Sequence, residues 1–447
     1  MDPARPTSTR TTLASPPDTG NVKETPAPAL SSRSGYFRWG ICALLLFGTT
    51  KNYMDRNVLG VLNKTLQHDL GWSEIDFSNL VIAFQLAYAA GMLLTGRLID
   101  KLGTRLGYAL AMIFWSLASM GTALGNSLTS FAISRAALGF GEAAVFPASI
   151  KAVAEWFPKK ERALATGIFN AGTSFGAMLA PLVVPWLHAR WGWRGAFVGI
   201  GALGFVWLAF WLAIYRKPGE HPRVSKAELD YIRSDPQDAP AQTKWSALFP
   251  LRQTWAFIAA KLLTDPVWWF YLFWVPGFLQ SKHGIALTGL GPPIVAIYLI
   301  SDVGSVAGGW VSSSLIKRGH SVNVARKTAM LICAVCVMPV VFAYRVHSTW
   351  SAVLLIGLAA ACHQGFSANA YTLVSDMFPA RAVGSVVGIG GMAGAIGGLC
   401  IAWVVGHKLQ LTGSYKVPFL IAGSAYLIAL ALIHALVPRM EPAKIDS

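Results

Sequence analysis

Tyr53-Met54-Asp55-Arg56 stands inside one apolar stretch of this chain, and Arg135 and Glu142 stand inside another. A charged side chain at the centre of a spanning helix costs about 2.5–3.5 kcal/mol even on lenient insertion scales. Helices keep such groups where an ion, a proton or a charged solute has to pass. The composition around them is that of a membrane protein. Of 447 residues, 54% are hydrophobic and 13% charged, against about 25% charged in a soluble domain. Segments 77–96, 106–134, 196–214, 384–406 and 417–437 contain no Asp, Glu, Lys or Arg. About 20 apolar residues cross a hydrocarbon core of ~30 Å as a helix. Turns read at Gly, Pro, Asn and charge clusters give twelve spans, centred near Phe47, Ala87, Phe114, Gly141, Phe175, Phe205, Tyr271, Gly304, Cys336, Ala361, Gly394 and Leu427. The expected fold is an all-α polytopic membrane protein with the lipid bilayer as its surroundings.

The net charge of +16 carries orientation and implies no nucleic acid. Assigning the polar loops alternately to two sides puts 19 Lys and Arg on one side, and only Lys64, Arg190, Arg194, Lys282, Arg345, Lys408 and Lys416 on the other. By the positive-inside rule the richer side is cytoplasmic, and both termini belong with it. Residues 1–35, rich in Pro, Thr and Ser, read as a disordered cytoplasmic tail with no signal peptide. Residues 36–214 read as a six-helix half and 253–438 as a second one. Between them lies a polar cytoplasmic linker, 215–252, and 439–447 forms a short cytoplasmic tail. Ser225 and Glu228 have capping-box spacing, so part of the linker is expected to be helical.

No cofactor or metal is expected. Cys333 and Cys336 have CxxC spacing without a second pair or histidines at zinc spacing, so they read as buried small residues. The glycines from Gly388 to Gly398 lie within a span, lack a preceding strand and a phosphate-binding lysine, and read as a close helix-packing surface. With no ATP-binding motif, the chain reads as a secondary transporter and not an enzyme.

The halves are related. Aligning Phe157-Pro158 with Phe378-Pro379 places Gly167-Ile168 on Gly388-Ile389 and Gly176 on Gly397. A duplicated six-plus-six chain binds its solute between the halves near the midplane and works by alternating access.

The buried charges are the candidate site. Adjacent residues on a helix point about 100° apart, so Asp55 and Arg56 cannot face one partner together. Arg135 and Glu142, seven apart, share a face. A cross-helix ion pair between spans one and four would fix packing. The alternative is a protonatable site beside a cationic anion-binding site, since a guanidinium grips a carboxylate with two parallel hydrogen bonds. Tyr53, Gln85, Tyr88, Asn170, Thr173, Ser174, Gln364 and Asn369 are polar groups in spans that would read hydroxyls or bond between helices. Trp268, Trp269, Tyr271, Phe273 and Trp274 follow Asp265-Pro266. They read as an interfacial belt or as a stacking surface for a sugar ring, with Pro266 breaking the helix at a gate. Lys261 and Asp265 pair with each other most simply. Lys51 snorkels, pairs with Asp55 or attracts substrate, and His363 reads as a satisfied core histidine or a proton relay.

Gly96-Arg97-Leu98-Ile99-Asp100-Lys101-Leu102-Gly103-Thr104-Arg105 resembles the signature loop of the major facilitator superfamily. The resemblance assigns Gly96, Asp100, Lys101, Gly103 and Arg105 to a gating loop. There Asp100 would pair with Arg105 and latch the halves on the cytoplasmic side. Residues 52–56, 155–162, 167–170, Asp302 with Gly304, His363-Gln364 and Ser375-Asp376 resemble the anion:cation symporter group, and within it bacterial hexuronate permeases. That resemblance implies a monomer in a bacterial inner membrane. It implies proton-coupled symport of a sugar-acid anion such as glucuronate or galacturonate, with an aldonate such as galactonate or another organic monocarboxylate as the alternative cargo. It makes Arg56 the grip on the substrate carboxylate, Asp55 and Glu142 the acids whose protonation couples transport, and Arg135 their tuner. A transporter-like anion sensor is the more distant alternative. The absence of an appended cytoplasmic domain argues against it.

Overall fold

Polar groups inside lipid force the backbone to satisfy itself, which leaves helices as the solution for long apolar segments. The computed structural model describes residues 35–234 and 245–443. The expected tails over 1–34 and 444–447 and the middle of the linker lie outside the described residues. First come α1 (Phe37–Val61), α2 (Asn63–Leu70), α3 (Glu74–Leu102), α4 (Thr104–Thr122), α5 (Leu128–Glu142), α6 (Val145–Trp156) and α7 (Lys159–Ile214). The linker holds α8 (Lys226–Ile232) and α9 (Trp245–Leu248). The second half holds α10 (Arg252–His283), α11 (Gly291–Lys317), α12 (Val322–Cys336), α13 (Thr349–Met377), α14 (Ala380–Thr412) and α15 (Lys416–Leu436).

These make twelve spans, because two stretches are interrupted. At Gly192 the φ/ψ of +66°/−177° suits only glycine, and it divides α7 into two antiparallel-capable rods. The other break separates α5 from α6 directly after Glu142. Pro147 has no N–H to meet the Ala143 carbonyl, and that carbonyl instead accepts from Thr95 Oγ1 of α3 at 3.2 Å. Eight stretches are long and apolar enough to cross a membrane on their own, one of them (164–214) holding two spans. The three spans that fall short are α1, α4 and α10. Two of these carry ionic groups, the buried Lys51, Asp55 and Arg56 on α1, and the buried Lys261 with the half-buried Asp265 on α10.

The internal repeat holds in three dimensions. α6 ends at Trp156 and α13 at Met377, each followed by an extended Phe-Pro pair: Phe157 at φ/ψ −125°/135° and Phe378 at −111°/143°. α7 and α14 then start at equivalent positions. Gly176 packs on the α1 backbone at Thr50 and Tyr53, and Gly397 packs on α10 at Leu262 and Pro266. The glycine-rich α14 is a packing surface, as its sequence implies. Pro266 does not break its helix, because α10 runs through it without interruption.

The halves meet at the end of the bundle opposite the linker. There Gly60 lies on the Leu272 and Phe273 carbonyls, Ser78 Oγ donates to the Ala402 carbonyl at 2.6 Å, and Gln410 Oε1 accepts from the Glu74 N–H at 3.1 Å. At the linker end no hydrogen bond or ion pair joins the two halves among the described residues. There Cβ atoms added at Gly96, Gly167, Gly384 and Gly388 would meet open space. The space between the halves therefore opens toward the linker.

The linker helix α8 is bound to the first half. Ser225 caps it, accepting from the Glu228 N–H at 3.2 Å. The expected capping box is only half formed, because the buried Glu228 carboxylate turns away to Arg38. It accepts there from the Arg38 N–H at 3.1 Å and from its guanidinium at 3.3 Å. Nearby, His221 lies against Phe37 with ring centroids 4.3 Å apart, tilted by 39°, and burial pushes its imidazole below the usual value. All five cysteines are free.

Two outcomes are expected. Gly192→Ala forces an L-residue into a glycine-only conformation, a strain of about 1–3 kcal/mol, and lowers the melting temperature of the purified protein. An unchanged melting temperature would mean the break is not held by this residue. Glu228→Ala removes one of the two carboxylates on Arg38, leaving Glu161 at 2.8 Å, and loosens α8, read as faster tryptic cleavage at Lys226 and Arg233. Unaltered cleavage would refute that anchoring.

Candidate functional site

Three helices of the first half bring the buried charges together. α1 presents Lys51 and Asp55 toward α4, and Arg56 toward α5, as the 100° step between neighbours requires. Lys51 Nζ sits 2.5 Å from Asp55 Oδ2 one turn later and donates to Ser116 Oγ of α4 at 2.9 Å, while Ser119 Oγ donates to Asp55 Oδ1 at 2.8 Å. Gly204 makes room for this pair, since a Cβ there would lie 3.0 Å from the lysine amine and closer still to Ser116. Among the options open for Lys51, pairing with Asp55 is the one realised.

Arg56 forms the cross-helix ion pair. Its Nε and Nη2 donate to Glu142 Oε2 at 3.0 and 2.9 Å, and both side chains are buried. Glu142 holds the last turn of α5, directly before the break, and its carboxylate meets Arg56 of α1. Aromatic rings surround the guanidinium: Tyr53, Tyr88, Phe84 and Trp269 have centroids 4.8, 4.9, 5.1 and 5.2 Å from its Cζ. Such rings attract the cation through their faces without consuming its N–H donors. Trp269 belongs to α10, so Arg56 is the point where the second half touches the charge cluster.

Arg135 differs from the other cations. It is 0% exposed, and none of its three guanidinium nitrogens has a hydrogen-bond partner. Its Cζ lies 4.8 Å from the Phe84 centroid, so Phe84 contacts both arginines. Glu142 Oε1 is buried without a partner as well. Lys51, Arg56 and Arg135 face Asp55 and Glu142: three cations against two anions, a formal net charge of +1 in a buried cluster.

The polar residues expected at the site divide. Tyr53, Tyr88 and Trp269 surround Arg56. Gln85 is fully buried with both amide atoms unpartnered, close enough to Trp269 that both would contact a Cβ added at Gly398. Ser174 Oγ of α7 donates to Asp302 Oδ1 of α11 at 2.6 Å, a bond between the halves. Thr173 is buried, Gln364 half-buried, and Asn170 exposed one turn before Ser174, toward the open end. Asn369 lies apart, donating to the Gly308 and Gly365 carbonyls at 3.1 and 2.9 Å where α11 crosses α13.

The aromatic run on α10 is not an interfacial belt. Trp269, Tyr271, Phe273 and Trp274 are buried, and the half-buried Trp268 stacks at 5.1 Å on His363. His363 is a satisfied core histidine, with Nδ1 2.8 Å from Tyr426 Oη. In the loop over 96–105, expected to gate, Gly103 takes φ +77°, a conformation that favours glycine. Arg105 donates to the Leu212 carbonyl of its own half at 2.6 Å; the Asp100 side chain lies outside the described residues. Sequence reasoning missed Phe84 and Tyr371. A phenylalanine between arginines leaves no sequence signal, whereas the exposed Tyr371, whose ring lies 4.5 Å from Lys261 Nζ, stands out only through that contact.

This geometry fits what the chain is similar to. Residues 45–399 and 315–447 match the sequence profile of the Major Facilitator Superfamily. The hexuronate transporter of Escherichia coli K12 is 33% identical over 384 residues, 84% of this chain and 88% of that one. The galacturonate transporter of Dickeya chrysanthemi is 35% identical over 66% of this chain and 88% of its own. The D-galactonate transporter of Escherichia coli O6:H1 is 29% identical over 92% and 96%. Among solved structures, a bacterial homologue of the lysosomal transporter Spinster in an inward-facing conformation superposes with a TM-score of 0.70 at 18% identity, covering 90% of this chain and 99% of that one. At that identity the likeness speaks to fold alone. Twelve spans in two repeated halves, a buried charge cluster where they meet, and these matches together place the chain in the Major Facilitator Superfamily, as a membrane transporter.

Proposed function

We propose that this protein carries a sugar-acid monoanion, a hexuronate such as glucuronate or galacturonate, together with protons by alternating access. The observation that carries the reading is Arg135: a fully buried guanidinium without an acceptor, in a cluster with one positive charge in excess. Burying an unpaired ion costs several kcal/mol. A carboxylate entering beside Arg135 supplies the missing acceptor and offsets one of the cluster's positive charges. The named substrates of the relatives, hexuronates, galacturonate and D-galactonate, are anions of this kind. The D-galactonate relative keeps an aldonate as the second candidate cargo.

Proton coupling follows from the Arg56–Glu142 pair. A proton on Glu142 neutralises the carboxylate that holds Arg56, leaving the guanidinium free to bind the substrate carboxylate through two parallel hydrogen bonds. Loss of the substrate lets Glu142 release its proton and reclaim Arg56. Anion binding and protonation therefore favour each other, and the linkage is reciprocal. Asp55, held by Lys51 and Ser119, is the second acid of the cluster. With the Lys/Arg-rich loops on the cytoplasmic side, the opening toward the linker faces the cell interior. In that frame the rocking halves release the anion there.

The deciding experiment is uptake of labelled glucuronate into proteoliposomes in sodium-free buffer, with and without an inward proton gradient. Accumulation abolished by a protonophore is expected; uptake indifferent to the gradient would sink proton coupling. Glu142→Gln is expected to bind glucuronate and exchange it across the membrane while losing gradient-driven accumulation, and full accumulation in this variant would remove Glu142 from the coupling. Arg135→Met separates a binding role from a structural one. Removing an unpaired buried charge leaves the melting temperature unchanged or higher, while glucuronate affinity falls by about tenfold or more, near 1.4 kcal/mol. A variant that melts lower and binds normally would make Arg135 a packing residue.

A further inference from the structure

A second Lys-x-x-x-Asp pair, its lysine buried and its aspartate half-buried, stands on the first span of the second half. Lys261 Nζ and Asp265 Oδ1 are 2.7 Å apart on α10, as Lys51 and Asp55 are paired on α1. Its surroundings are built to receive it. Opposite on α14, Gly390 and Gly394 repeat the same four-residue spacing. A Cβ at Gly390 would lie 3.2 Å from Lys261 Cγ, and one at Gly394 would fall on the Asp265 carboxylate. On α13 the ring of Tyr371 covers the lysine amine at 4.5 Å. Unlike the Lys51–Asp55 pair, which is fully enclosed, this one reaches open space: the Asp265 side chain is 18% exposed and Tyr371 41% exposed.

The exposed edge points at the site already described. Lys261, Asp265 and Trp269 follow at i, i+4 and i+8 on one face of α10, and Trp269 covers Arg56 at 5.2 Å. At 1.5 Å rise per residue, Asp265 and Lys261 stand about 6 and 12 Å along the axis from Trp269 toward the open end. Tyr371 lies within electrostatic reach of the Tyr53 and Tyr88 phenols, across the gap between the halves. Five C–C bonds of about 1.5 Å give a six-carbon acid a length of roughly 6 Å. A molecule of that length with its carboxylate beside Arg56, under Trp269, extends one turn along α10 to Asp265, whose carboxylate holds the Lys261 amine.

We infer that Lys261, Asp265 and Tyr371 form the subsite for the end of the substrate remote from its carboxylate. In it Asp265 neutralises Lys261, so that an uncharged hydroxylated end is accepted over a second carboxylate. The inference rests on the sugar-acid reading above and adds to it a charge rule. A hydroxyl can donate to Asp265 and accept from Lys261 while the pair stays intact. A dicarboxylate of equal length instead brings its second negative charge against Asp265, and like-charge contact in a desolvated site discriminates strongly.

The test is competition in proteoliposomes, with uptake of labelled D-glucuronate inhibited by unlabelled D-glucuronate or by the dicarboxylate D-glucarate. Wild type is expected to need at least about tenfold more glucarate than glucuronate for half-inhibition. Asp265→Asn leaves Lys261 unopposed and shifts that ratio about tenfold or more toward glucarate. Lys261→Gln leaves Asp265 unopposed and shifts it in the opposite direction. The double variant K261Q/D265N loses the gain of the single Asp265→Asn change. Opposite shifts of the two single variants are not produced by a pair that only packs helices, and either variant that retains the wild-type melting profile decides the matter. A ratio unchanged in both, or both anions weakened equally, overturns the subsite and leaves the sugar-acid reading standing. A folded wild type that binds neither anion overturns both.

Discussion

The ion pair between Arg56 and Glu142 is the contact on which the rest of this molecule depends. It joins α1 to the end of α5, and its geometry explains features on either side of it. The helix break after Glu142 frees a carbonyl that Thr95 of α3 takes up, so the carboxylate sits beside a defect that a third helix repairs. The aromatic ring set around the guanidinium then brings in Trp269 from the other half. A single cation is thereby seen by four spans and by both halves of the repeat.

Buried ion pairs are weak sources of stability, since desolvation offsets most of the attraction. That makes the composition of this cluster informative. Lys51–Asp55 is closed on itself, enclosed by α4, and carries the signature of a structural pair beside the site. Arg56–Glu142 uses only one carboxylate oxygen for two donors, and Arg135 uses none of its own. The unsatisfied hydrogen-bonding capacity is thus concentrated on one side of the cluster, near Gln85, whose amide is also without partners.

The twelve spans, the twofold repeat and the buried charges were legible because each rests on a local rule: uncharged length, a fixed offset between Phe-Pro turns, and the cost of ions in lipid. Partner choice was less so. The step between Asp55 and Arg56 required two different partners, yet only the crossing of α1 with α4 and α5 decided which. The α10 aromatics were read as either a belt or a stacking surface, because composition does not say which face of a helix meets lipid; packing against α1, α3 and α13 buries them. Asn369 looked like Gln85 in sequence, but the close approach of α11 at Gly308 offers it a carbonyl. Glu228 had the spacing of a capping box, and a buried arginine 190 residues away outcompeted the local bond.

The hydrogen bonds that close the end opposite the linker have one property in common: each has a main-chain partner. Ser78 donates to a carbonyl, Gln410 accepts from an amide, and Gly60 rests on two carbonyls. Each such hydrogen bond contributes on the order of 0.5–1.5 kcal/mol. The closure is a few of them with the edge-on contact of Phe77 and Trp274 at 5.5 Å, and among the described residues no ion pair locks it. Two conformers separated by so little can be repopulated by a ligand whose affinities for them differ by two or three powers of ten, about 3–4 kcal/mol. A seal of this kind leaves the balance between the two conformers to the difference in their affinities for a ligand.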